Sequence, residues 1–195
     1  MHALPAAPPP PPRRQLLVGT ALAGVATWML IGGMLAVWYQ QRTRAIDSPA
    51  GRWLPEGITV PEVATNTMVF GLIGLVLFAQ WAVYAAKRQQ QTNTALALGL
   101  VILMAVAVIN AQAYVWYAID LPIGGEDAGY AGMFYAVTGT MMALFIIGTV
   151  FTAVTAFRTL GGRIRDTETV AAHALYWYVL TAAFLAVWFV VYVTK

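Results

Sequence analysis

Few side chains in this 195-residue chain could act as acids, bases, nucleophiles or metal ligands. There are two histidines and no cysteine, which excludes thiolate metal sites, disulfides and cysteine catalysis. His2 stands in the N-terminal segment. His173 follows Asp166 and Glu168, and those three residues outline the only acid–base site the spacing offers, at one membrane surface. A solvated helix start explains the two acids more simply, because carboxylates favour a helix N-terminus. A lone histidine one turn into a helix is expected to snorkel toward the headgroups. No second His, Cys or carboxylate stands at helical spacing from it. Neither haem ligation nor a metal site is expected in this chain.

The elements that must carry these residues are written in the composition. Hydrophobic residues make up 60% of the chain and charged residues 10%, against about 25% charged in an ordinary soluble domain. The charges fall in short clusters separated by apolar runs of about 20 residues or more, long enough to cross a bilayer as helices. Five runs qualify: Leu16–Tyr39, Thr67–Ala86, Ala95–Ile119, Ala131–Phe157 and Val170–Thr194. None alternates in polarity, which excludes a strand barrel. The first run is too long for a signal-peptide core and lacks a clear cleavage site, so it is read as retained. The fold class is therefore an all-α integral membrane protein. Residues 1–15 form a Pro-rich tail, disordered or extended, with five prolines from Pro8 to Pro12. Residues 16–195 form the five-helix bundle.

The net charge of +3 is an orientation signal, and no nucleic-acid partner is expected. Arg13, Arg14, Lys87, Arg88, Arg158, Arg163 and Arg165 share one side of the membrane. Arg42, Arg44, Arg52 and Lys195 lie on the other, with six of the eight acids. The positive-inside rule puts the N-terminus in the cytoplasm and the C-terminus outside. Trp38, Tyr39, Trp81, Tyr84, Trp116, Tyr117 and Tyr192 fall near the expected interfaces, as an aromatic belt would. The loop 40–66 is the longest connection, and Trp53, Pro55, Gly57 and Pro61 mark it as ordered and non-helical.

No Asp, Glu, Lys or Arg lies inside the five spans, although transporters and proton channels keep such groups there for function. The polar residues within the membrane are neutral: Gln80, Asn110, Gln112, Thr138, Thr140, Thr149 and Thr181. Interhelical hydrogen bonding accounts for them. Asn110 and Gln112 are two apart, so they point to different faces of their helix.

Five passages, taken in order, carry a family resemblance: "LAVWYQQR" (Leu35–Arg42), "RWLPEGITVPEVATNT" (Arg52–Thr67), "INAQAYVWY" (Ile109–Tyr117), "YAGMFYAVTG" (Tyr130–Gly139) and "ALYWYV" (Ala174–Val179). Together they resemble subunit III of haem–copper (cytochrome c) oxidases in its short five-helix bacterial form. The family-matching structural or lipid-cleft positions are Trp53, Asn66, Thr67, Gln112, Thr138, Gly139, Tyr176 and Trp177. The departures fall on ionisable landmarks. Trp28 stands where the family has a buried Glu, and Val115 replaces the acid of a Gln-x-x-Glu pattern. Thr140 to Leu144 replace a His-containing stretch, and Tyr178 and Thr181 replace a His and an Asp.

The resemblance implies an accessory subunit of a bacterial terminal oxidase in the plasma membrane. It would pack on catalytic subunit I, with subunit II nearby, and hold phospholipid in a cleft between helix groups. Haem and copper would belong to the partner subunit. Two related readings stay open: a subunit III-like partner of a nitric-oxide reductase, and a stand-alone small transporter. A membrane enzyme built around His173, Asp166 and Glu168 is a third.

Overall fold

The computed structural model describes residues 14–49, 51–121, 128–162 and 167–194. Residues 1–13 of the expected tail 1–15, residues 122–127, Arg163, Arg165, Asp166 and Lys195 lie outside them. Five helices run through the described residues: α1 (Gln15–Ile46), α2 (Glu62–Lys87), α3 (Gln91–Ile119), α4 (Ala128–Leu160) and α5 (Thr167–Val187). α5 continues without a break into a wider π-helical segment, Trp188–Val193. Even α2, the shorter of the uninterrupted spans at 26 residues, reaches about 39 Å at 1.5 Å per residue. That exceeds the roughly 30 Å of a hydrocarbon core. All five helices are long and apolar enough to cross a membrane.

The helices outrun the apolar runs, and the long loop is correspondingly shorter than its expected 40–66. α1 continues two turns beyond Tyr39 because Gln40, Gln41, Arg42 and Arg44 are good helix formers. α2 begins at Glu62, directly after Pro61, with an acid in its first turn where the helix dipole favours it. Asn66, read from sequence as the end of the loop, and Thr67, read as the start of the second span, therefore sit inside α2.

α2, α3, α4 and α5 pack in a closed ring, each against the next, and α5 returns to α2. Their buried residues recur every three or four positions. Met68, Leu72, Leu75, Ala79 and Ala82 line α2, and Leu98, Val101, Ala105, Val108, Gln112 and Val115 line α3. α4 offers Phe134, Met141, Phe145, Gly148 and Thr152; α5 offers Trp177, Leu180, Phe184 and Val187. This is the spacing of left-handed bundle packing. The α2–α3 hairpin closes over three residues, with Gln89 at φ +58 and the amides of Gln89 and Gln90 bonding back to Ala86 and Ala85.

α1 stands outside the ring. It lies along α5 and touches α4 lightly, so most of its surface is exposed. Two small residues set the close approaches. A Cβ on Gly24 of α1 would lie 3.0 Å from Val179. A Cβ on Gly148 of α4 would lie 2.7 Å from Tyr176 and 2.9 Å from Trp177, so any other residue there forces α4 and α5 apart.

The expected aromatic belt divides. Tyr39, Tyr84 and Tyr117 face outward, as such a belt requires, but Trp38 and Tyr192 are buried inside the protein. Both turn inward at the end of the bundle that carries the 47–61 loop, where the helix ends gather against protein.

Candidate functional site

The polar groups of the bundle collect at three levels. At the α1 start, the Glu168 carboxylate accepts from the backbone amides of Leu16 (2.8 Å) and Leu17 (3.1 Å). Those amides have no partner within their own helix. The acid expected at the start of α5 thus caps α1 as well, and joins the two helices. At the same end, Gln91 Nε2 donates to the carbonyls of Thr159 (2.9 Å) and Leu160 (3.1 Å), closing the end of α4.

One step deeper is a buried node on Thr152. The Trp177 indole donates to Thr152 Oγ1 at 3.0 Å. His173 Nε2 lies 2.9 Å from the same oxygen, and that hydroxyl also reaches the Gly148 carbonyl at 2.8 Å. Trp177 stacks on Phe145, and the edge of Phe151 meets His173. His173 is fully buried, which corrects the snorkelling, interfacial reading. The imidazole packs against Phe151, and a hydroxyl from α4 takes the place of the headgroups it was expected to reach.

The remaining polar pairs tie neighbouring helices. Trp116 donates to Thr138 Oγ1 at 2.9 Å, and Thr138 donates to the Phe134 carbonyl at 2.7 Å. The Tyr176 hydroxyl donates to the Leu144 carbonyl at 2.7 Å. Tyr178, where the resemblance places a His, donates to Gln80 across α5 and α2. At the end of the bundle that carries the 47–61 loop, Trp188 donates to Asn66 Oδ1 and Tyr192 to Gln112 Oε1, both at 3.1 Å. A polar cavity of about 280 Å³ opens there beside Glu62, Thr65, Asn66, Trp188 and Tyr192. The π-helical segment forms its wall.

Two apolar clefts run along α1. One, of about 480 Å³, lies against α5 and is lined by Ala21, Gly24, Val25, Trp28, Leu175 and Val179. The other, of the same volume, lies toward α4 and is lined by Leu30, Gly33, Met34, Val37, Met133 and Ala136. Met29 borders both. Trp28, where the resemblance places a Glu, is half exposed in the first cleft.

The sequence-derived residues are thus only partly assembled. His173, Tyr176 and Trp177 form one neighbourhood around Gly148 and Thr152. Asn66 and Gln112 each receive an aromatic donor from the π-helical segment. Trp53 is buried against Trp38 and Tyr130. Thr67 bonds only to the Val63 carbonyl of its own helix. Gly139 makes no close approach. Asn110 and Gln112 do face opposite ways: Gln112 is buried, while Asn110 is exposed and bonds to the Val106 carbonyl. Sequence reading missed Thr152, Trp38 and Tyr130. Thr152 carried a signal, since Gly148, Thr152, Thr155 and Thr159 make a stripe of small and hydroxyl residues at 4-3-4 spacing. Among the described residues no three His, Cys, Asp or Glu side chains gather. The arrangement packs helices and shelters apolar clefts.

Comparison with known proteins agrees with this architecture. The family model described as "Cytochrome c oxidase subunit III" matches residues 13–195. A Rickettsia felis protein named as a cytochrome c oxidase subunit 3 is 29% identical over 156 residues, covering 74% of this chain and 55% of its own length. A Rickettsia bellii protein of the same name is 28% identical over the same shares. A Strongylocentrotus purpuratus cytochrome c oxidase subunit 3 is 30% identical over 148 residues, covering 72% of this chain and 53% of its own length. The chain therefore spans about half the length of the curated relatives it matches. The chain, whose described residues form five helices long and apolar enough to span a membrane, belongs to the cytochrome c oxidase subunit III family.

Proposed function

We propose that this chain is a non-catalytic component of a bacterial haem–copper terminal oxidase, seated in the plasma membrane with its N-terminus in the cytoplasm. It packs on the catalytic subunit, which holds the haem and copper, and subunit II lies in the same assembly. The match to the subunit III family over residues 13–195 carries this reading. The interior adds support, because Trp116, Tyr176, Trp177, Trp188 and Tyr192 each spend a donor on a bond to another helix. Affinity purification of the tagged chain from its own membranes tests the assignment. A haem spectrum in the purified complex is expected, and a haem-free preparation would overturn it.

The second part of the proposal is that the clefts flanking α1 hold phospholipid acyl chains. Both are apolar, both open sideways, and both lie along a helix whose other faces are exposed. Orientation is testable because the chain has no cysteine. Single Arg52→Cys and Lys87→Cys variants in intact cells should differ, with only the first labelled by a membrane-impermeant maleimide.

A further inference from the structure

Three aromatic residues from separate segments meet at the end of the bundle that carries the 47–61 loop. Trp38 comes from the last third of α1, Trp53 from the loop, and Tyr130 from the first turn of α4. Their ring centroids form a tight triangle: 5.2 Å for Trp38–Trp53, 5.5 Å for Trp38–Tyr130 and 5.2 Å for Trp53–Tyr130. All three are buried, at 0%, 8% and 2% exposure. Each carries a hydrogen-bond donor, and each of those donors is unpaired: Trp38 Nε1, Trp53 Nε1 and the Tyr130 hydroxyl.

Buried polar groups are nearly always paired, and a lone exception calls for an explanation. Three in one contact cluster call for a common one. An indole has no acceptor to offer its neighbour, so the two tryptophans cannot satisfy each other. Ring faces are weak acceptors and serve as a second-order contact only. Trp116, Trp177 and Trp188 each find an oxygen acceptor from the protein, and Trp38 and Trp53 do not. The triangle instead gathers donors from three chain segments, and its one acceptor, the Tyr130 oxygen, receives neither indole.

We infer that the Trp38–Trp53–Tyr130 triangle is a binding site for one small hydrogen-bond acceptor, a water molecule or a halide ion, held beneath the 47–61 loop. The occupant receives the indole N–H and phenol O–H groups and so fastens the loop to α1 and α4. Arg52 and Glu56, an ion pair within the loop, flank Trp53 on the outside.

A density map of the full chain in nanodiscs or in its native assembly tests this directly. A discrete peak within hydrogen-bonding distance of Trp53 Nε1 and the Tyr130 hydroxyl is expected. Tyr130→Phe keeps the ring and deletes one donor. If the site is occupied, the occupant loses a partner and the melting midpoint falls, by about 3 °C for a chain of this size. If the hydroxyl is an orphan, its removal leaves the midpoint unchanged or raises it. Replacing chloride by gluconate separates the two sources: a halide occupant makes the wild-type midpoint chloride-dependent, and water does not. An empty map, or a Tyr130→Phe chain as stable as wild type, overturns the inference.

Discussion

The imidazole Nε2 of His173 lies 2.9 Å from the Thr152 hydroxyl, and the Trp177 indole reaches the same oxygen from the next turn of α5. One α4 hydroxyl therefore serves two α5 side chains in the interior of the bundle. Thr152→Val keeps the shape and removes that oxygen, stranding both partners. A loss of about 2–5 kcal/mol is expected. In a double-mutant cycle with Trp177→Phe, the costs should fall short of additive by about 1 kcal/mol or more. Additive costs would mean the hydrogen bond does not bind the helices.

His173→Ala should lower thermal stability by about 2–4 kcal/mol through the cavity and the lost polar contact. Any electron-transfer activity of the assembled complex should survive, scaled to the amount of intact protein. Loss of turnover with assembly and melting unchanged would reinstate a chemical role for this residue.

Gly148 and Gly139 make a matched pair on α4. Gly148→Ala places a methyl within 2.9 Å of both Tyr176 and Trp177 and should cost about 1–3 kcal/mol by overpacking. Gly139→Ala meets only a carbon of Trp116 at 4.0 Å and should be neutral or slightly stabilising, since alanine is the better helix former. Melting curves of the two variants in the same detergent give the comparison.

Glu168 is tested by hydrogen exchange. Glu168→Ala removes the acceptor for two α1 amides, and about 0.5–2 kcal/mol of capping goes with it. Leu16 and Leu17 amides should then exchange faster while α2–α3 amides are unaffected. Glu168→Gln, which keeps an oxygen, should lie between.

The lipid proposal is tested by filling the clefts. Gly24→Leu would meet Val179 at once. Gly33→Leu is the cleaner variant, because nothing lies within 4 Å of a Cβ there. Native mass spectrometry should count fewer phospholipids retained by Gly33→Leu than by wild type. An unchanged count would remove the α1–α4 cleft from the proposal.

The five spans were legible because membrane helices announce themselves by length and lack of charge, which needs no tertiary information. Their ends were less so. Tyr39 closes the apolar run, but α1 continues through residues that are polar and still good helix formers. Burial was the hardest to read. His173 looked interfacial because sequence gives depth along the helix and says nothing of which neighbour covers it. Trp38 and Tyr192 were mistaken for belt residues for the same reason: a tryptophan near a helix end looks alike whether lipid or another helix lies beside it. Gln112 was better served, since its opposition to Asn110 follows from helical spacing alone. Thr152 lay within reach of a search for small and hydroxyl residues at 4-3-4 spacing, although its two partners did not.

α1 and α5 run side by side in the same direction, joined at one end by Glu168 and the α1 amides and at the other by Arg42 Nη2, which donates to the Thr194 carbonyl at 3.1 Å. Between these two fastenings lie the apolar clefts. α1 is thus fastened like a beam by polar bonds at its two ends and rests over its middle on apolar contact such as that of Gly24 with Val179. A long hydrocarbon wedge entering beside Met29 needs only a gentle bow of the beam, and both end fastenings can hold while it enters.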